Sequence, residues 1–410
     1  LGIGALILLY SGGYMRSHQH KGRFYGFMLL FMGSMLGLIL SGNLVSLFVF
    51  WELTSISSFF LIGFYNKKEK ARRSALRALF VTEIGGLALL SSIVLIGVIG
   101  GSFEFVDLMN NPETIKNSPH YTVILILFLV GTFSKSAQFP FHFWLPGAMA
   151  APTPVSAYLH SATMVKAGIY LLARMMPVLG GSALWHDSLV IIGSITMFLG
   201  AFLALSQKDL KSILAYTTIN ALGVLTMLIG TGTPTAIKAM LLYVVVHALY
   251  KASLFMVAGA IDEKTGTRNI FRLGNLRREM PFITIFSIPV LLSMAGLPPM
   301  LGYISKELIY EARLHTTYLN YAILVLNVLS NVFMLTISAI ITYEVFFRKK
   351  RKLPEKPEQS GISFWFGLAI MSVASLVLAL FPGKTEPVLE FSIAAIKDQM
   401  IEVDLQLWHG

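Results

Sequence analysis

FSKSAQFPFHFWLPGAMAAPTPVSAYLHSATMVKAGIYLLAR, residues 133–174, decides how the whole chain is read. An apolar run, YTVILILFLV at 121–130, leads into it and meets Lys135. Then come Pro140, Pro146, Pro152 and Pro154, the histidines His142 and His160, a second lysine at 166 and a further apolar helix. Proline lacks the amide donor and ends or kinks a helix. Interrupted backbone at membrane depth is tolerated only where protein or a water-filled cavity surrounds it. A lysine beside such a break, with histidines following, has the pattern of an ion route.

Composition sets the solvent. The 410 residues are 55% hydrophobic and 13% charged, with a mean hydropathy of +0.70, whereas a soluble domain carries roughly 25% charged residues. The chain reads as an integral protein of a lipid bilayer. No cysteine occurs, which excludes disulfides and cysteine-ligated iron–sulfur or zinc sites within these residues. A net charge of +11 would suit nucleic acid, but the basic residues sit in short loops between apolar segments, as positive-inside topology requires; no nucleic-acid partner is expected. The sequence opens at Leu1 inside an apolar run, with no initiator methionine and no charged region or cleavage site of a signal peptide. The expectation is a piece of a longer polypeptide whose first helices are absent.

A spanning helix needs about 20 mainly apolar residues. That rule predicts a partial span at 1–15 and spans near 24–42, 44–65, 77–100, 121–138, 153–176, 188–206, 210–230, 234–260, 281–311 (broken), 317–347 and 361–381. The fold expected is all-α, a polytopic bundle of about twelve transmembrane helices. The tail from Thr385 to Gly410 reads as an amphipathic surface helix or a lead into another part. Loop charge supports the count. With alternate loops on one side, that side holds Arg16, Lys21 and Arg23, the cluster from Lys67 to Arg77, Lys208 and Lys211, the run from Lys264 to Arg278, and Arg348 to Lys352 with Lys356. The other side holds only Lys116, Arg174 and Arg313, with Lys384 and Lys397 in the tail. A miscounted helix would scramble this asymmetry.

Five lysines escape the loops and fall within apolar spans: Lys135, Lys166, Lys238, Lys251 and Lys306. An ionisable residue at mid-membrane costs about 2.5–3.5 kcal/mol on insertion scales and is a functional candidate by default. Lys135 precedes one break; Lys306 follows another, at AGLPPMLG (295–302). The two breaks lie five spans apart, so the helices run in opposite directions, and paired interrupted helices in inverted halves point to a transporter's ion site. This gives two inverted five-helix repeats, with the chain divided as 1–20 (end of an N-terminal helix), 21–180 (first half-channel), 181–350 (second half-channel) and 351–410 (an additional helix and connecting segment).

Each candidate has a plainer alternative. Glu52 is a lone carboxyl that either needs a cationic partner, for which Lys135 is the candidate, or stays neutral or bonds a serine. Moving a carboxylate toward or away from a desolvated lysine changes which protonation state is favoured, so such a pair can be switched; the alternative is a structural ion pair. His160 titrates in a range that suits a proton relay, but a histidine in a helix is often hydrogen-bonded core. Lys166, six residues on, is expected on the same helix about 120° away, facing the bundle or snorkelling toward a polar cavity. Tyr243, His247 and Lys251, spaced i, i+4, i+8, share one helical face, as a relay or as an interhelical hydrogen-bond ladder. Lys238 projects from the opposite face as an interfacial snorkeller. Lys306 has Glu307 and Glu311 nearby for a local ion pair. Glu83 and Lys211 are further relay candidates, Glu344 a surface ion-pair partner, and His142 and Trp144 part of loop packing. No nucleophile, phosphate loop or metal-ligand spacing is present, and no cofactor is expected.

At these residues the chain resembles a known family. The 133–174 segment is similar to the signature segment of the proton-conducting membrane transporters, which comprise the antiporter-like subunits of respiratory complex I and of Mrp-type multisubunit sodium/proton antiporters. WELTS at 51–55, KDLKSILAYTTINALG at 208–223, VHALYKASLF at 246–255 and AGLPPMLGYISKELI at 295–309 match as well. Lys306, and the spacing from Lys135 to His160, resemble the largest complex I member and its Mrp counterpart, the A-type subunit. PGAMAAPTP and Lys166 favour the A-type branch, since complex I members usually carry aspartate and threonine there. Tyr243 departs from the complex I pattern, which often has histidine. The resemblance implies a two-half-channel scheme, with Glu52 and Lys135 as a switchable pair. His160 and Lys211 lead along a hydrated central axis to His247 and Lys251, and Lys306 gates exchange with one side. It also implies one component of a hetero-oligomeric antiporter in the bacterial plasma membrane, a secondary transporter of H+ and Na+ rather than an enzyme. The rivals are a proton-pumping subunit of a redox complex, a non-conducting scaffold and, more distantly, a small-solute carrier.

Overall fold

The structure is a computed structural model that describes residues 1–313, 318–349, 351, 353–355, 361–397 and 403–405. Of the sequence expectations, Lys350, Lys352 and Lys356 of the last basic loop and Asp398 and Glu402 of the tail lie outside the described residues. In chain order the principal helices are α1 (Gly2–Tyr14), α2 (Lys21–Leu40), α3 (Leu44–Ile62), α4 (Glu69–Gly100), α5 (Tyr121–Lys135), α6 (Thr153–Ser161), α7 (Ala167–Arg174) and α8 (Ala183–Leu205). Then follow α9 (Leu210–Thr231), α10 (Pro234–Thr265), α11 (Pro281–Ala295), α12 (Leu301–Glu311), α13 (Tyr318–Ile341), α14 (Ile362–Leu380) and α15 (Glu386–Lys397).

Eight of the predicted spans are continuous helices long and apolar enough to cross a membrane. The other four are short or interrupted: α1, α5, the pair α6–α7 and the pair α11–α12. The third of these corrects the sequence reading, which took 153–176 as one helix. Ends are set by local chemistry. Asn43, Ser182, Asp209 and Thr233 accept amide hydrogens at the starts of α3, α8, α9 and α10, supplying the partners that donors of a first helical turn lack. Helix α4 begins eight residues earlier than the apolar run predicts: its first turns bury Ala71, Ser74, Ala75 and Ala78, while Glu69 and Arg73 pair at 2.5 Å one turn apart on the exposed side.

Burial divides the bundle into centre and rim. The most apolar windows of α9 and α10 are 94% and 83% buried, against 33–50% for the other six long helices. On α4, by contrast, Phe80, Ile84, Leu87, Val94 and Val98 form an exposed apolar stripe at helical spacing, the face a helix turns to lipid. Helices α8 and α9 meet backbone to backbone: a Cβ on Gly193 would stand 2.6 Å from the Met227 amide nitrogen, and one on Gly223 would collide with that of Met197. This clamps α8 against the central helix α9, and the polar residues of the buried α9 and α10 face protein.

Candidate functional site

Helix α5 ends on Lys135, and the chain then turns through Ser136 and Ala137, the latter at φ 47°. With its helix finished, the lysine side chain reaches α3 and donates to the Trp51 carbonyl at 2.9 Å and to Ser55 Oγ at 2.6 Å. It lies 5.0 Å from the Trp51 ring centroid, a cation–π contact. Lys135 is fully buried. The sequence reading paired it with Glu52. Glu52 is its electrostatic neighbour but no ion pair is closed: the carboxylate turns toward Glu83 on α4 and rests over Gly86. Oε1 of Glu52 has no hydrogen-bond partner. A Cβ at 86 would strike that oxygen, so a larger residue there displaces the Glu52 carboxyl. Two carboxyls and one lysine therefore form a loose triad across α3, α4 and α5.

The break that the sequence did not signal falls at 162–163. Thr163 adopts φ −127°, ψ −101° and its hydroxyl bonds the Tyr158 carbonyl, five residues back, at 2.7 Å. Serine and threonine hydroxyls compete for helical carbonyls in this way, and no proline or glycine marks the site. Consequently His160 and Lys166 do not share a continuous helix. Ser136 Oγ donates to the Val165 carbonyl at 2.7 Å, so the break after Lys135 is stitched to this one. His160 is fully buried between Trp144 and Phe255, with ring centroids 6.5 and 6.3 Å away, and neither ring nitrogen is bonded to a protein group. Trp144, read from sequence as loop packing, is wholly buried and donates to the Ser134 carbonyl at 2.9 Å. It links the Lys135 turn to His160.

Along α10 the stripe of Tyr243, His247 and Lys251 is buried as its spacing predicts. Lys251 donates to the Leu214 carbonyl at 3.2 Å and to Thr217 Oγ1 at 2.5 Å on α9, 5.6 Å from the Tyr250 ring centroid. This repeats the Lys135 arrangement: a carbonyl, a hydroxyl about one turn on and an aromatic ring. Tyr243 bonds Tyr250 (3.3 Å between hydroxyl oxygens) rather than the histidine. The His247 ring faces the Ser161 carbonyl at the end of α6 without closing a hydrogen bond. Lys166 donates to the Val244 carbonyl at 2.9 Å, one turn from His247, and its neighbourhood is apolar, not the polar cavity its snorkelling would need. At the other end of the row Lys211, fully buried, donates at 2.6 Å to the Ala151 carbonyl, which the interrupted backbone before α6 leaves open.

Lys211 lies beside a polar cavity of about 400 Å³ on the side of the basic loops. Ala151 and Thr153 form part of its wall, with Tyr14, Asp209, Ser212, Asp262 and Arg268. Arg268 bridges Asp209 (2.8 Å) and Asp262 (3.3 Å), holding the start of α9 against the end of α10. From this cavity the buried groups follow in order: Lys211, then His160 beside it, Lys251, His247 and Lys166. From Val244 to Lys251 the row climbs seven residues of α10, roughly 10 Å at 1.5 Å per residue.

Lys306 reaches back across the second break and donates to the Ala295 carbonyl at 2.8 Å. Its stem packs over Gly296, which caps α11 at φ 74°. A cation at a helix C-terminus is electrostatically favoured, and this contact replaces the local pairing with Glu307 or Glu311 that the sequence left open. Each of the two main breaks contains a cis prolyl bond, Phe139–Pro140 and Pro298–Pro299. Lys238 extends to the Asp404 carbonyl (2.7 Å) at the bundle's edge. Glu344 pairs with Arg348 and, at 3.7 Å, with Arg351, but it is 8% exposed rather than a surface residue.

Interrupted helices around a buried lysine–histidine row define a multi-pass membrane protein. The chain matches the family described as NADH:quinone oxidoreductase/Mrp antiporter, transmembrane region, over residues 41–334, and it belongs to that family. It is 44% identical, over its whole length, to a probable K+/H+ antiporter A/B subunit of Rhizobium meliloti, of which it covers 41%. It is 39% identical to the A1 subunit of a Na+/H+ antiporter of Staphylococcus aureus, of which it covers 54%. The whole chain superposes on a chain of the Mrp complex from a Dietzia species with a TM-score of 0.92 at 41% identity, covering 44% of that chain. The chain thus spans about half the length of the curated relatives it matches.

Proposed function

We propose that this chain is the proton-translocating part of an A-type subunit in a multisubunit monovalent-cation/proton antiporter of a bacterial plasma membrane. The observation that carries the reading is the row of buried lysines bonded to carbonyls and hydroxyls instead of carboxylates. A buried ammonium held only by neutral acceptors can lose its proton without stranding a counter-charge, which a structural ion pair cannot. Residues 21–180 and 181–350 act as two half-channels. In the first, Glu52 with Glu83 biases Lys135. Protons reach Lys211 from the polar cavity, and His160, Lys251, His247 and Lys166 pass them along the axis; the unbonded nitrogens of His160 are available for both steps of a transfer. Lys306 controls exchange at the second break. The relatives named as antiporters favour this over a redox-driven pump, and the other components of the complex are the expected partners.

The test uses inverted vesicles carrying the intact protein in its assembled complex, acidified by respiration and monitored with a pH dye. Added Na+ or K+ is expected to dequench the dye, and Lys135→Ala to abolish that response with assembly unchanged. Absence of a response to either cation in the unsubstituted complex favours the redox-driven pump. A normal response after loss of both Lys135 and Lys251 leaves only a scaffold.

A further inference from the structure

A second cavity, of about 370 Å³, opens between α2, α7, α10 and α15. It touches the last turns of α2 at Met35 and Ile39 and the first turns of α10 at Met240, Leu241 and Val244, so it lies at the end of the bundle opposite the basic loops. Among the described residues its walls are mostly apolar and contain no acidic side chain. Two cations stand in them. Lys166 forms the floor, with its ammonium turned to the Val244 carbonyl and its stem along the wall. Arg174, at the end of α7, lies over the Phe105 ring at 5.1 Å, and its Nε has no hydrogen-bond partner. The surroundings of the mouth are apolar and exposed: Leu40 at 79% on α2, and Val388 and Phe391 at 65% and 71% on α15. Such a rim faces hydrocarbon. Helix α15, with this apolar face and with Glu386 and Glu390 bonded to the amides of Leu405 and Val403, has the character of a helix lying in the membrane interface.

We propose that the cavity holds an acyl chain of an anionic phospholipid from the leaflet on that side, with the phosphate head group at Arg174. The volume is that of small-molecule sites, ~300–1,000 Å³, which are likewise apolar with a few placed polar groups. A planar guanidinium, which can present two parallel N–H donors, suits a phosphate better than an ammonium does. Deeper in, the chain covers the stem of Lys166 and keeps water from reaching the proton row through the bilayer face. The site stands on its own geometry and does not depend on the antiport reading.

Native mass spectrometry of the intact complex, exchanged into defined lipid, tests it by counting retained molecules. Phosphatidylglycerol is the probe, with phosphatidylethanolamine and oleate as the zwitterionic and free-acid arms. Phosphatidylglycerol should be retained selectively. Arg174→Ala should weaken retention about tenfold, as ~1.4 kcal/mol of lost head-group interaction does, with Arg174→Lys in between. Leu241→Trp, which fills the cavity, should remove retention while thermal unfolding stays as in the unsubstituted protein. Equal retention of phosphatidylethanolamine overturns the head-group assignment, and preference for oleate overturns the phospholipid. Unchanged retention in Leu241→Trp overturns the site, as does a neighbouring polypeptide cross-linking to Ala395→Cys in place of any lipid.

Discussion

At the scale of single residues, the question is whether a buried lysine holds the structure up or performs a task, and its acceptors answer differently for the two. The acceptors of Lys251 do not need it. Thr217 Oγ1 also bonds the Ile213 and Leu214 carbonyls at 3.0 and 3.1 Å, and Leu214 lies within a continuous helix. Replacing a buried charge by an apolar group of similar volume is often neutral or stabilising. Lys251→Met is therefore expected to keep the melting temperature within a few degrees or raise it, while cation-driven proton movement in vesicles falls below detection. Unfolding of that variant would make the lysine structural. Gly86 gives a subtler probe. Gly86→Ala puts a Cβ where Glu52 Oε1 now lies, and the flexible carboxyl must swing away. Assembly should be unaffected, since a carboxyl end moves easily, and transport should slow severalfold through altered coupling of Glu52 to Lys135. Transport equal to that of the unsubstituted protein would remove Glu52 from the switch.

At the scale of elements, the candidate site is concentrated where helices stop. The break at 162–163 and the one after Lys135 are joined by the Ser136 hydroxyl on the Val165 carbonyl. Ser136→Ala leaves that buried carbonyl without its side-chain donor at a cost of about 1–3 kcal/mol. Amide hydrogen exchange should accelerate at 162–167 and stay unchanged in the centre of α9, and exchange unaltered at 162–167 would show that the two breaks are independent. These elements also mark the limits of the sequence. The prolines at 140–154 and AGLPPMLG announced two breaks, because proline and glycine act on their own backbone wherever they sit. The break between His160 and Lys166 was not legible, for it depends on Thr163 bonding a carbonyl five residues back, and SATM is an unremarkable helical sequence. The burial of Lys135, Lys166 and Lys251 could be read from hydropathy, since a charge in an apolar run has few places to go, whereas Lys211, counted with a basic loop, is fully buried too. Their partners could not: Lys135 was assigned a carboxylate and found a carbonyl and a hydroxyl, because the choice rests on how α3 is rotated, which no residue of α5 encodes.

At the scale of the whole molecule, the two cavities lie at opposite ends of one buried row. The polar one adjoins Lys211 among the basic loops, and the apolar one is floored by Lys166 on the other side. Positive-inside topology assigns the first to the cytoplasm. The unequal linings imply unequal wetting: a space walled by Asp209, Asp262 and Ser212 holds water, because water needs two to four polar partners, whereas an apolar space stays dry. These residues contain no cysteine, so single cysteines introduced among them, in an intact protein whose other cysteines are replaced, report this directly. Ser212→Cys should react with a membrane-impermeant maleimide in inverted vesicles and be protected in intact cells. Ala173→Cys, in the apolar wall, should resist the charged reagent from either side and react with a small lipid-soluble one. Labelling of Ser212→Cys from the outside would reverse the orientation of the whole bundle. Rapid labelling of Ala173→Cys by the impermeant reagent would mean that the apolar cavity is wet, and that the row from Lys211 to Lys166 opens to water at both ends. On the relay proposed above, a dry end requires protons to leave the row elsewhere, and the break at which Lys306 holds the Ala295 carbonyl offers interrupted backbone through which they can do so.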